Sequence, residues 1–363
     1  MTLPRRGQPA ATVAALAAGV AAALAGCAHI GPATIPRDRF DFNNALSDSW
    51  KEQTLLNIVR LRYADSPVFL EVSQIISGYT LEGTVQAGAS TISGGSGALS
   101  IGAGGRWTDR PTITYSPMTG ADFMRALITP IPPAIIFNLM DAGWPAERIL
   151  SMCVQTINGM QNEKYSAQGA QAGDPEFYRL VRLMGEVQAA GALQMRIDKG
   201  TDNKDVTVLF FRPVEVLPEI EAKAREARTL LGLEPGRRQF RLVYGPTAGN
   251  PDEIAVLSRS MIHILMTLAG GVEIPAEDVD TGRASPGFAP AETDASGRPR
   301  FRISSAVERS PDAFAAVRYR DRWFWIDDRD MASKRMLSFV LALFAVAETS
   351  PRQGLPVVTI TGN

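Results

Sequence analysis

This chain has few cysteines and histidines, the residues that zinc sites and histidine-dependent nucleophilic catalysis require. Its 363 residues include two cysteines, Cys27 and Cys153, and two histidines, His29 and His263. A zinc site needs three or four nitrogen or sulfur ligands, and a serine or cysteine hydrolase needs a histidine base beside its nucleophile. The sequence motifs of phosphate-binding loops and of the α/β-hydrolase nucleophile do not occur. This inventory predicts no cofactor, no metal site and no histidine-dependent enzyme.

Cys153 and His263 are better explained by packing than by catalysis. Cys153 lies in the apolar run 149–154, and His263 lies in the apolar run 261–265. A reactive thiol needs an electropositive, partly exposed setting, which the first run does not supply. We therefore expect a buried, inert thiol and a histidine in the core or at an interface.

The densest acidic cluster, Asp327, Asp328 and Asp330, is the remaining candidate for catalysis. Carboxylates could bind a divalent cation or, with a second carboxylate elsewhere, hydrolyse a glycan. Acidic side chains are also favourable at the positive N-terminus of a helix. We predict that these residues cap a helix that begins near Asp330, and a membrane-tethered carboxylate-dependent hydrolase stays open as an alternative.

The composition is that of a globular protein. Hydrophobic residues make up 45% and charged residues 21% of the chain, and 37 basic residues face 38 acidic ones. These values exclude a disordered chain and a protein of many membrane spans. A nucleic-acid partner is not expected, because such binding needs a strongly basic surface.

The first residues have the pattern of a secretory signal. Arg5 and Arg6 are followed by a short apolar stretch from Ala10 to Ala25. A positive start and a short apolar segment are typical of signal peptides. We therefore expect a secretory leader at the start of the chain, with a short membrane anchor as the alternative.

The end of this stretch, Leu24-Ala25-Gly26-Cys27, resembles the lipobox of bacterial lipoproteins. The resemblance implies cleavage before Cys27 by signal peptidase II and attachment of diacylglycerol and fatty acid, such as palmitate, to that cysteine. Residue Ala28, where an Asp would favour the inner membrane, implies an outer-membrane lipoprotein of the cell envelope that faces the periplasm. The membrane would then be the protein's first partner, through the lipid anchor at Cys27.

The rest of the chain predicts an α+β protein, with a mainly antiparallel sheet, packed helices and one long glycine-rich β-hairpin. A capping-box spacing predicts a helix from Ser49 that ends before Pro67. A second amphipathic helix is predicted over 252–269. The expected organisation is a leader at 1–26, a lipidated tether at 27–40, a helix, hairpin and further helices at 41–160, and an α+β domain at 175–363 with an irregular segment at 275–300.

The predicted hairpin spans residues 79–115. Apolar and polar residues alternate on both sides of the glycine-rich turn 93–97, which is typical of two strands with one apolar face. Pairing about Gly95 would place Trp107 opposite Gly83. Two interpretations are open, an interaction ribbon in a soluble sheet and a membrane-entering hairpin.

The functional expectation is a non-catalytic envelope lipoprotein that binds a partner protein or assembles with copies of itself. The alternatives are a subunit of an oligomeric pore or secretion channel that uses the 79–115 hairpin, and the hydrolase named above. No family resemblance extends to the mature chain.

Overall fold

The computed structural model describes residues 30–76, 78–91, 97–118, 120–166, 169–199, 205–212, 218–288 and 301–347. The predicted leader, Cys27 and His29 lie outside these ranges. The chain divides into two compact units, Met1–Trp50 and Lys51–Asn363. Helices combine with mainly antiparallel sheets, so the α+β prediction is confirmed.

The first helix, α1, spans Ile30–Arg62. The predicted start at Ser49 is wrong, and residues 30–40, expected to form an irregular tether, are helical. Pro32 lies in the first turn, where a proline costs no intrahelical hydrogen bond. Pro36 lies deeper and removes one such bond. The predicted apolar face of the C-terminal part is confirmed by the complete burial of Leu55, Ile58 and Val59.

Four strands follow α1 and form two consecutive two-stranded ladders. In both ladders the two strands are antiparallel. The first of the four strands pairs with the fourth, and the second pairs with the third. The strands are β1 Phe69–Ile76, β2 Tyr79–Thr91, β3 Gly97–Asp109 and β4 Thr112–Met118.

A six-stranded sheet forms the centre of the second unit. Its strand order is β6-β5-β12-β11-β10-β9, and the β11–β12 pair is parallel whereas its other pairs are antiparallel. Strands from both sides of the polar segment 159–175 share this sheet, so the predicted division between 160 and 175 does not separate two bodies. The strands are β5 Val154–Ile157, β6 Met160–Gln161, β9 Leu193–Lys199, β10 Asp205–Phe211, β11 Gln239–Tyr244 and β12 Glu253–Ser258.

The helix predicted over 252–269 is wrong in its first half. Residues Glu253–Ser258 form β12, and the helix α7 covers only Met261–Ala269. A strand buried on both faces has an almost continuous apolar sequence, which periodicity alone cannot distinguish from a buried helix. The strand ends at Ser258, and Ser260 caps the helix, where its side chain accepts a hydrogen bond from the His263 backbone N–H at 3.4 Å.

A three-stranded antiparallel sheet lies near the C-terminal helix, in the order β13-β15-β14. The segment predicted to be irregular at 275–300 contains a short helix, α8 Ala276–Asp280, and its residues 289–300 lie outside the described ranges. The remaining elements are β7 Lys164–Ser166, β8 Gly169–Gln171, β13 Ser304–Ala306, β14 Ala313–Tyr319, β15 Arg322–Asp327, α2 Ala121–Ile128, α3 Pro133–Asp141, α4 Ala146–Cys153, α5 Pro175–Ala189, α6 Pro218–Leu230 and α9 Met331–Ala347.

Helices α3 to α7 and α9 contribute buried apolar side chains to one core with the central sheet. Phe137, Phe177, Phe240 and Phe324 are among its largest fully buried side chains. Within the described ranges, no helix has both the length and the apolar character that crossing a membrane requires.

Candidate interaction surface

The two ladders formed by β1–β4 are one continuous structure, which we call the arm (residues 69–118). Ile76 pairs with Thr112, and Tyr79 pairs with Asp109. Between them, the Arg110 backbone N–H donates to the Gly78 carbonyl at 2.9 Å, so one register continues from the first ladder into the second. Nearer the body, a bulge between Val72 and Gln74 shifts the register by one residue. The strands β1 and β2 contain 8 and 13 residues, which corresponds to a contour of about 70 Å at roughly 3.3 Å per residue.

The predicted antiparallel pairing of two long strands is confirmed, with a corrected register, and residues 92–96 of the predicted glycine-rich turn lie outside the described ranges. Trp107 pairs with Leu81 instead of Gly83, and Ile101 pairs with Ala87 instead of Ala89. The shift is two residues, so the apolar positions still share one face of the ribbon. Several residues of the glycine-rich turn could have been its centre. Registers that differ by two residues keep the same side chains on the same face, so the alternation of apolar and polar residues does not distinguish them.

The root of the arm is fastened to α1 by two amide side chains that imitate a neighbouring strand. The Asn57 amide donates to the Val68 carbonyl at 2.8 Å and accepts from the Val68 N–H at 2.9 Å. Gln53, one helical turn earlier, makes the same pair of bonds with Leu70, at 3.1 and 2.6 Å. Two residues that are four positions apart on the helix therefore reach two residues that are two positions apart on the extended chain. Sequence inspection missed both residues, because an isolated Asn or Gln on a helix carries no signal of this role.

Replacing Asn57 by leucine is expected to lower the free energy of unfolding by about 1–3 kcal/mol, because two hydrogen bonds at a buried site are lost. Gln53→Leu should cost less, since the bonds of Gln53 are exposed to water. Urea unfolding of the two variants measures the difference. Equal costs, or no cost for Asn57→Leu, would show that the amides do not fasten the arm.

Aromatic side chains complete the attachment of the arm. Phe69, the first residue of β1, is 1% exposed, and its ring lies 5.8 Å from that of Phe123 and 5.1 Å from that of Phe344. Such contacts between aromatic rings add to the stability gained by burial. The arm is therefore rooted in the core at its base.

Beyond its root the arm has open edges. Among the described residues, β2 and β3 pair only with each other. Because the pair Gly78 and Arg110 is hydrogen-bonded, even-numbered residues of β2 bond across the ladder and odd-numbered residues direct their N–H and C=O groups outward. No charged residue and no proline lies between Glu82 and Arg106. Natural edge strands carry such residues to prevent pairing with other chains, and residues 83–105 of the arm lack that protection.

Apolar side chains are also exposed at the arm's root. Val68, Leu70, Ile113 and Tyr115 are 47%, 44%, 40% and 58% exposed. Next to them, an apolar groove of about 430 Å³ opens between the end of α1 and the helices α2 and α7. Clustered exposed apolar surface is typical of interaction sites.

Burial determines the protonation of both Cys153 and His263. Cys153 is fully buried, as predicted, and burial raises the pKa of its thiol to about 12. Burial lowers the pKa of the His263 imidazole to about 4, and the positive charges of Arg259 and Lys164 add to this effect. At neutral pH the thiol is protonated and the imidazole is uncharged.

The acidic cluster has the contacts of a helix cap. Asp330 accepts a hydrogen bond from the Ser333 backbone N–H at 3.0 Å, so the predicted cap of α9 is confirmed. Asp327 accepts from the Arg329 backbone N–H at 2.8 Å, and Asp328 forms an ion pair with Lys334. These carboxylates therefore have structural partners. In the described part of the chain, no three His, Cys, Asp or Glu side chains come together as they would in a metal site.

The arm is thus the surface that the geometry singles out. Its edge groups can pair with another strand, and its root is fixed to the core by Asn57 and Phe69. No protein family, curated protein or solved structure matches this chain.

Proposed function

We propose that the protein is a lipid-anchored envelope lipoprotein that assembles with copies of itself through the edges of the arm. The observation that carries this proposal is the long two-stranded ladder with outward-directed peptide groups and no charge between Glu82 and Arg106. A two-stranded ribbon is at best marginally stable by itself in water. Pairing with the arm of a second copy would satisfy its edge groups and add strands to the ladder.

Self-assembly is supported over binding of a different protein by the symmetry of the ribbon. Both β2 and β3 have open edges of equal length, so one copy can be paired on either side and copies can add repeatedly. The test is the mass of the full-length protein extracted in mild detergent, measured by light scattering. We expect a multiple of the monomer mass, and a stable monomer would overturn the proposal.

The anchor is proposed to be a diacylglycerol and fatty-acid modification of Cys27, on the strength of the sequence Leu24-Ala25-Gly26-Cys27. Lipid chains bound in this way hold a protein firmly at a bilayer surface. The outer membrane, on its periplasmic side, is the location that Ala28 favours.

Cys27→Ser is expected to abolish incorporation of labelled palmitate and to release the protein from membranes, because serine lacks the sulfur that is acylated. The control is Cys153→Ala, which removes the other cysteine and should leave the labelling unchanged. Persistent labelling of Cys27→Ser would contradict the anchor.

A further inference from the structure

Charged residues on the arm stop at one level, which we call the limit. Glu82 and Arg106 are direct partners in the register, and all residues from 83 to 105 are uncharged. The limit therefore falls at the same level on both strands. On the body side of it, charged residues return at Asp109 and Arg110.

The uncharged portion has the length of a strand that crosses a bilayer. It comprises residues 83–91 of β2 and 97–105 of β3. A strand that spans the hydrocarbon core needs about 9–11 residues when tilted. Both strands reach the lower end of that range.

The two faces of this portion differ in the way a membrane strand requires. Odd-numbered positions are mainly apolar, and even-numbered positions are small or polar without charge. The odd positions include Val85, Ala87, Ala89, Leu99, Ile101 and Ala103, and the even positions include Thr84, Gln86, Ser90, Ser100, Gly102 and Gly104.

Aromatic residues flank the limit on the body side. Tyr79 and Trp107 lie within a few residues of the pair Glu82 and Arg106 along the ladder. Tyrosine and tryptophan are enriched where membrane strands leave the hydrocarbon and meet the lipid headgroups. Their positions agree with a bilayer surface near this level of the arm.

We propose that residues 83–91 and 97–105 enter the hydrocarbon core of a lipid bilayer, with the odd-numbered positions toward lipid. This inference rests on the proposed self-assembly, because the edge groups of a lone hairpin would be left without partners in lipid. Copies paired edge to edge satisfy these groups, and the uncharged polar positions then line the other face. The assembly so formed is a pore element that each copy supplies with one hairpin.

The first test places an environment-sensitive fluorophore on single cysteines in the lipid-anchored, full-length protein on phosphatidylglycerol–phosphatidylethanolamine vesicles. Cys153 does not compete for the label, since its side chain is fully buried. We expect a fluorophore at Ala87→Cys to shift to the blue and to be quenched by a lipid-borne nitroxide. A fluorophore at Gln86→Cys should be quenched less, and one at the exposed position Thr112→Cys, in the ladder of β1 and β4, should stay in water.

The second test compares Ala87→Lys with Gln86→Lys, which place the same charge on opposite faces of the ladder. Ala87→Lys should reduce release of a dye trapped in the vesicles by roughly tenfold or more, whereas Gln86→Lys should have a smaller effect. Both lysines keep the backbone N–H, so the mass of the assembly in detergent is the control.

The outcomes separate the two proposals. Fluorophores that stay in water at both Ala87→Cys and Gln86→Cys, in a protein that is oligomeric in detergent, overturn bilayer entry and leave self-assembly standing. That result would assign the arm to pairing outside the membrane. A protein that is monomeric in detergent overturns self-assembly and bilayer entry together.

Discussion

Replacing Ala87 by proline is expected to convert the assembled protein into monomers while the body stays folded. Ala87 pairs with Ile101 at an odd-numbered position, where the backbone N–H points away from the ladder. Proline has no N–H and its ring obstructs an approaching strand, so it blocks the outer edge of β2. The bonds that join β2 to β3 use the even-numbered residues and remain available.

Ala87→Val is the matched control, because valine occupies the same position, favours strands and keeps the N–H. We expect the valine variant to retain the mass of the native assembly, measured by light scattering in detergent. Circular dichroism and the urea midpoint check that the body of both variants is folded. An oligomer of unchanged mass for Ala87→Pro would contradict edge pairing through β2.

Replacing Arg259 by methionine is expected to lower the free energy of unfolding by about 3–5 kcal/mol. Arg259 is 1% exposed and donates to the carbonyls of Ser151 and Met152, each at 3.2 Å, and to the carbonyl of Glu163. Ser151 and Met152 belong to the last turn of α4, whose carbonyls have no partner within the helix. The arginine thus supplies those partners, and its positive charge suits the negative end of the helix.

Methionine fills part of the space but leaves the Met152 carbonyl without its buried donor, whereas the Ser151 carbonyl keeps a hydrogen bond from the Asn162 amide at 2.7 Å. The control is Arg318→Met, which removes an exposed ion pair with Asp321 and should cost less than about 1 kcal/mol. Urea unfolding of both variants gives the comparison. A cost for Arg259→Met as small as that for Arg318→Met would show that water replaces the arginine.

Local pattern was sufficient for elements whose faces differ strongly. The alternation along the arm identified its strands, and the cap at Asp330 was readable from acidic residues before an apolar helix. The antiparallel pair β9 and β10 has the same kind of local signal, since polar residues separate two apolar runs. In these cases the local preference and the tertiary structure agree.

Elements whose signal depends on distant neighbours were missed. Glu253–Ser258 is a strand because it pairs with β11 and β5 on its two sides, which its own residues do not reveal. A local signal was overlooked at Asn158-Gly159, where φ values of 43° and 88° form the tight turn of the β5–β6 hairpin. Asn-Gly is favoured in such turns because both residues tolerate positive φ.

The candidate site was predicted in part. The sequence located the hairpin that we propose to interact, but not how the arm is held. Gln53 and Asn57 act through contacts with Leu70 and Val68 that span a change from helix to strand, and no periodic pattern encodes such contacts. Arg259 was hidden for a related reason, because its carbonyl partners come from residues about one hundred positions away.

Hydrogen exchange of the arm's amides in the detergent-extracted, full-length protein tests edge pairing most directly. An arm that is paired only with itself protects the even-numbered amides, such as that of Gln86, and leaves the odd-numbered ones, such as those of Val85 and Ala87, open to water. We expect slow exchange at both sets in the native protein, because strands of neighbouring copies engage the outward groups. Fast exchange at Val85 and Ala87 beside slow exchange at Gln86 would contradict assembly through the arm.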